Sequence, residues 1–183
     1  MYKKYEINAN GRVIALRDFG NIKKGDIGGY VTSEKNLSHN GDCWVYGNAC
    51  VSDNARVFGN AWVSGDAQVS GDAQVFGDAC VYGNACVSGN ACVYGNARVY
   101  GNACVHETED CLCVFPIGSR NDSLTICQTE DGAGSVVAGC FSGTIEKFLE
   151  AVEKTHGDNI HGQMYRCAVD IFRLRVKVKE DAE

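Results

Sequence analysis

A valine recurs at every sixth residue from Val45 to Val105 without interruption. The unit reads Val-x-Gly-Asn/Asp-Ala-x, as in Val81-Tyr82-Gly83-Asn84-Ala85-Cys86, and Asp53 is the one residue that replaces the glycine. A fixed short period marks a fold that grows by stacking like units. In an extended segment such as Ala49-Cys50-Val51-Ser52, side chains alternate between faces, so Ala and Val point one way and their flanking residues the other. Gly followed by Asn or Asp then bends the chain, because both tolerate positive φ. Gly-Asn also closes hairpins, but hairpins of four-residue strands would bury almost nothing. If every bend turns the same way, the chain coils into a solenoid filled with Val and Ala.

This unit, aliphatic at its first place and small at its fifth, resembles the hexapeptide of left-handed parallel β-helices. The resemblance implies three units per triangular coil. Parallel strands stack at about 4.8 Å, so the strict repeat is a stub roughly 16 Å long. Three-sided coiling sorts the outward residues into three faces. One carries Trp44, Tyr46, Trp62, Tyr82 and Tyr100; the second is small and flat, with Ser52, Ser70, Cys86 and Ser88; the third carries Arg56, Phe58, Phe76 and Tyr94. Aromatic ladders either mark a contact surface or simply stabilise stacked strands. On the first reading Trp62, Tyr82, Phe58, Phe76 and Tyr94 are interface candidates for a homo-oligomer, with a trimer favoured.

The corners follow a second rule. Asp66, Asp72 and Asp78 fall in one coil, and Asn48, Asn54, Asn60, Asn84, Asn90 and Asn96 flank them above and below. Asn spacers keep like charges from stacking about 5 Å apart. The corners splay outward on three sides, so they are not read as a metal site.

A net charge of −6 argues against double-stranded nucleic acid as a partner. There is no apolar run long enough to span a bilayer, and Met-Tyr-Lys-Lys-Tyr-Glu carries no apolar signal segment. The expectation is a soluble cytoplasmic protein without membrane contact. Eleven cysteines with no Cys-x2-Cys pair suit free thiols better than a disulfide framework or a zinc site. No cofactor is implied.

The chain divides into an N-terminal β-hairpin cap (1–30), a left-handed β-helix (31–106) and a C-terminal α+β unit (107–183) of three strands and two helices. The hairpin is expected over 2–19 with its turn at Asn10-Gly11, and it would close the open core of the solenoid. Val31 and Leu37 read as irregular first rungs ahead of an insertion near His39-Asn40. Strands are expected at 111–117, 123–128 and 134–141. Thr144 would cap a helix to about Thr155, and a second helix over about 161–175 would bury Met164, Ala168, Ile171 and Phe172.

Two further resemblances cover most of the chain. Asp18-Phe19-Gly20-Asn21, Lys24-Gly25-Asp26 and Gly28-Gly29-Tyr30-Val31 followed by repeats resemble a hexapeptide-repeat family of bacteria and phages. Ile117-Gly118-Ser119-Arg120-Asn121-Asp122, Gly139-Cys140-Phe141-Ser142-Gly143-Thr144 and Thr155-His156-Gly157-Asp158-Asn159 resemble a small domain of phage and gut-bacterial proteins. They imply a phage or mobile-element origin and bring no established activity.

Acyltransferases are well-known enzymes on such a solenoid and typically use a histidine in a rung or inserted loop. Here the regular units contain none, and only His39 and His106 stand near them. The C-terminal unit holds the better polar cluster. The loop Gly118-Ser119-Arg120-Asn121 offers a guanidinium fork and free backbone N–H groups, which suit phosphate or carboxylate. His156, Asp158 and His161 lie at the interhelical turn and would have to meet that loop in space. The alternative is that these are ordinary turn formers. The sequence therefore reads as a non-enzymatic, self-associating β-solenoid binding protein of phage type, with a small phosphorylated ligand or a host protein as partner. A CoA-dependent acyltransferase and a purely structural spacer are the competing readings.

Overall fold

Each repeat makes a short parallel ladder around its valine, such as Cys50–Val51 or Gln68–Val69, with four-residue ladders only at Cys80–Gly83 and Arg98–Gly101. The computed structural model describes residues 3–180, with side chains to residue 176; Tyr2 of the expected hairpin lies outside these residues. Val45 pairs with Val63, Val63 with Val81 and Val81 with Val99, so three units make one turn. The result is a parallel β-solenoid of about four turns with three sheet faces. Its valines and alanines are buried in one continuous core. The corner bend is carried by glycine alone, at φ between 58 and 78°; Asp53, in the glycine place, adopts φ 54°. The following Asn or Asp keeps ordinary φ. A Cβ on Gly65 would stand 2.9 Å from the Gly83 carbonyl oxygen of the next turn, which is why the corner stays glycine.

The parallel coils give the solenoid a direction. The inter-turn bonds that flank each valine pair donate toward the C-terminal end, as in Cys50 N to Ala67 O and Ser52 N to Val69 O. At these flanking positions the first turn leaves carbonyls facing outward and the last turn leaves N–H groups facing outward. The N-terminal end is closed by donors. Asn36 Nδ2 reaches the carbonyls of Ala55 (2.8 Å), Asp53 (3.1 Å) and Ser52 (3.4 Å). Lys4 Nζ donates to the carbonyls of Cys43 (2.8 Å) and Gly41 (3.2 Å), and Tyr5 Oη to that of Leu37 (2.6 Å). This accounts for a fully buried lysine: its amine replaces water at carbonyls that nothing else can satisfy. Burial lowers its pKa, with Cys43 and Asp42 opposing. The far end is closed by acceptors, one for each face. Thr108 Oγ1 takes the N–H of Cys92, Thr125 Oγ1 that of Arg98 and the Gln128 carbonyl that of Cys104.

The N-terminal cap is larger than a hairpin. Tyr5–Ile7 and Arg12–Ala15 form the hairpin, and a third strand, Ile27–Val31, joins Arg12–Ala15 antiparallel and Cys50–Val51 parallel. Trp44, read from the sequence as an outward residue, is buried because the rings of Phe19 and Tyr5 pack on it.

The C-terminal unit contains four strands rather than three: Cys111–Ile117, Asp122–Cys127, Ser135–Ala138 and Phe141–Thr144, in that sheet order and antiparallel. The run expected as one strand over 134–141 is broken at Gly139-Cys140, where Gly139 at φ 57° turns the chain back. One side of this sheet seals the solenoid, with Cys127 in the solenoid core and Ser135 Oγ donating to the Tyr100 carbonyl. The other side holds Leu124, Ile126 and Val136 against helix α1 (Ile145–His156) and helix α2 (Ile160–Glu180). Thr144 caps α1, its side chain accepting from Lys147 N. Helix α2 does not bury Met164 and Ile171, which are 39% and 50% exposed; its inward stripe is Tyr165, Ala168, Val169 and Phe172. That stripe follows i, i+3, i+4, i+7 from Tyr165, a residue whose ring the sequence does not mark as inward.

Candidate functional site

The loop 118–121 turns at two left-handed residues, Gly118 at φ 70° and Asn121 at φ 51°. Only glycine fits at 118, since a Cβ there would collide with the Tyr165 hydroxyl of α2. This close approach draws the loop onto the helices and opens a cleft of about 220 Å³ between them. Ser119, Arg120 and Asp122 line it from the loop, Gly139 and Cys140 from the hairpin bend, and His156 and Tyr165 from the helices. Its apolar floor is a chain of rings: Phe141 lies 5.3 Å from Phe148, Phe148 5.4 Å from Tyr165, and Tyr165 5.7 Å from His156. Tyr165 Oη is held protonated mainly by burial and further by the Asp122 carboxylate, with Arg120 opposing.

The structure therefore brings Ser119, Arg120 and His156 into one cleft. Asn121 shapes the loop but does not line the cleft. Asp158 turns outward to Arg166, with Oδ1 to Nη2 at 3.1 Å, and Arg166 also reaches Glu153. His161 lies 5.9 Å from His156, ring to ring, and its Nδ1 is buried without a partner. Sequence reasoning missed Asp122, Cys140, Phe141 and Tyr165. The Gly118-to-Tyr165 contact that assembles them spans elements far apart in the chain, so no local pattern announces it.

The cleft presents a guanidinium, two serine hydroxyls (Ser119 and Ser123) and one carboxylate over an aromatic floor. Such a mixture is chemically suited to a planar ring bearing an acceptor-rich group. Among the described residues, no group of three or more His, Cys, Asp or Glu side chains is placed to hold a metal ion.

The aromatic faces also form ladders. Phe58, Phe76 and Tyr94 stack in succession on the third face, with Tyr94 54% exposed. On the first face Trp62 packs on Tyr46 and Tyr82 on Tyr100. His106 is exposed on the flat face, its Nδ1 2.6 Å from Ser88 Oγ, while His39 stacks on Tyr5 inside the cap. No helix among the described residues is long and apolar enough to cross a membrane.

Residues 49–65 and 91–107 match the family model described as YdcK Beta solenoid repeat. No curated protein matches the chain.

Proposed function

We propose that this β-solenoid repeat protein is a non-catalytic binding protein whose C-terminal cleft holds a small phosphorylated ligand of nucleotide type. One observation carries the reading: Ser119, Arg120 and His156, from a loop and a helix end, converge over a floor of Phe148 and Tyr165. Arg120 forms no ion pair among the described residues, so its fork is free for a phosphate. The aromatic floor suits a base, and the serine hydroxyls suit sugar or phosphate oxygens. The solenoid serves as a rigid base that presents this cleft. Self-association, as a trimer, uses the first face, where Trp62 and Tyr82 stand with Tyr46 and Tyr100. The resemblance of the repeat portion to a family of bacteria and phages, and of the C-terminal unit to a small domain of phage and gut-bacterial proteins, supports a role in sequestering a host signalling nucleotide.

Thermal melts against a nucleotide panel and acyl-CoA separate this reading from an acyltransferase. A ligand at a hundredfold excess over its Kd stabilises by about 2.7 kcal/mol. Arg120→Ala removes that shift, and His39→Ala and His106→Ala leave it intact. Stabilisation by acyl-CoA with turnover that depends on His39 or His106 would instead assign an acyltransferase. A monomer by light scattering at micromolar concentration would reject the assembly, and Trp62→Ser with Tyr82→Ser locates its face.

A further inference from the structure

The third face of the solenoid carries parallel rings at ladder spacing. Phe58 and Phe76 lie 4.8 Å apart with 3° between their planes, and Phe76 and Tyr94 lie 5.5 Å apart with 15°. Below Phe58 this ladder stops. The chain there is the insertion that precedes the strict repeat. Leu37 bridges Val57, and Ser38 N donates to the Val57 carbonyl at 2.9 Å. Ser38 thus occupies the rung beneath Phe58, where another ring would continue the stack. A hydroxymethyl group fills little of that space, and a cleft of about 480 Å³ remains, lined by Ser38, His39, Asn40, Arg56 and Phe58 among others.

The walls of this cleft are poised to donate. His39 is fixed by stacking on Tyr5, 4.4 Å between centroids, and by its Nδ1, which accepts the Lys4 N–H at 3.2 Å. That bond places the proton of the neutral ring on Nε2. His39 Nε2 is buried and has no partner in the fold. Buried donors are almost always paired, so one left without a partner on a residue that lines a cleft points to an acceptor from outside. Burial lowers the His39 pKa, with Lys4 and Lys3 acting the same way and Glu34 opposing, so the ring is neutral at pH 7. Arg56 stands with its guanidinium carbon 5.8 Å from the Phe58 centroid and has no ion pair among the described residues. Lys35 lies at the rim with its amine on Asn54 Oδ1, and the carboxylate of Glu34 is engaged by Lys3.

We propose that this cleft binds a planar aromatic anion, its ring seated under Phe58 in the vacant rung and its acidic group held by Arg56 and the His39 N–H. The ring completes the ladder on the apolar side, at a spacing that aromatic pairs favour. The anion supplies the acceptor that His39 lacks and the bidentate partner that Arg56 lacks. The site shares no residue with the C-terminal cleft, so either can fail without the other.

The test titrates the full chain with 2-naphthoate, read by saturation-transfer NMR and by the His39 side-chain resonances. The neutral 2-naphthamide and AMP are titrated in parallel. The expected result is saturable naphthoate binding that moves the His39 signals and weakens about tenfold or more in Arg56→Ala, as loss of a charged bidentate contact requires. The amide binds correspondingly more weakly. Ser38→Phe abolishes binding by filling the rung; should that variant fold poorly, Arg56→Gln gives the same information without adding bulk. Gln68→Ala, on the flat face and outside both clefts, leaves the naphthoate affinity unchanged. AMP binding tighter than naphthoate, with the same dependence on Arg56, assigns the anion as a nucleotide phosphate; the reverse order assigns a carboxylate. Absence of binding at millimolar naphthoate and AMP, equal affinity for acid and amide, or binding indifferent to Arg56 would overturn the proposal.

Discussion

Asn36→Asp exchanges one NH2 group for an oxygen, and the direction of the solenoid makes that exchange severe. Asn36 is fully buried, and its Nδ2 faces the carbonyls of Ala55, Asp53 and Ser52 at 2.8, 3.1 and 3.4 Å. Its Oδ1 accepts from Ser33 N at 2.8 Å and from the hydroxyls of Thr32 and Ser33 at 3.0 Å, and those bonds survive the change. The substitution leaves buried carbonyls without a donor, which costs about 1–3 kcal/mol. It also sets a carboxylate against three carbonyl oxygens, and an uncompensated buried charge costs about 3–5 kcal/mol. The three surviving donors offset part of this, so the expected loss is about 3–4 kcal/mol at pH 7.5, a large share of a typical stability of about 5–15 kcal/mol. Burial and the facing carbonyls raise the folded-state pKa of the new acid above its unfolded value of about 3.9. The loss is therefore full above the folded pKa and shrinks as pH falls through it, because the protonated acid again donates to a carbonyl. Urea midpoints of both proteins at pH 7.5 and pH 5 measure the gap. A variant within about 0.5 kcal/mol of the parent at pH 7.5, or a gap that does not narrow in acid, would refute the reasoning. The opposite end supplies the contrast: Asp110 Oδ2 accepts from His106 N and Glu107 N at 2.9 Å, so an acid suits the end where N–H groups emerge.

Three further outcomes follow from the same geometry. Thr125→Val removes the acceptor of Arg98 N, and should cost about 1–3 kcal/mol and speed amide exchange at Arg98 about tenfold or more; unchanged exchange there would contradict the closure. Asn60→Asp replaces the donor to Asp78 Oδ1 with a second carboxylate, and should cost a few tenths to about 1 kcal/mol at low salt and almost nothing in 1 M salt. Deleting residues 63–80 removes one turn and joins Trp62 to Val81 in register, since Trp62 pairs with Cys80. Deleting residues 63–68 turns everything above by a third of a coil, so only the first variant should keep its cap contacts and its cooperative melt.

The solenoid was legible because its cause is local: one valine, one glycine and one small residue per unit decide strand, corner and core. The caps were less so. That the hairpin of 5–15 plugs one end followed from an exposed core needing cover, but Lys4 and Asn36 gave no sign of being buried. Their role depends on which way the N–H groups flanking each valine pair point, and that emerges only once the coil is built. The strand break at Gly139 was visible as a turn former, yet the apolar run around it masked the hairpin. Ser119, Arg120 and His156 were singled out as residue types, whereas Tyr165 and Phe141 entered the cleft through packing. Asp158 was misplaced because Arg166, in the second turn of α2, draws it outward. The cleft under Phe58 was hidden for another reason: it arises from a ring that is absent at Ser38.

Mapping amide chemical-shift changes on the full chain during titration with the nucleotide that most stabilises it tests the functional account most directly. The account predicts changes concentrated at residues 118–123, 138–141 and 148–156 and at Tyr165, saturating with the melting shift and lost in Arg120→Ala. Changes confined to the solenoid faces, or a map that survives Arg120→Ala intact, would contradict it.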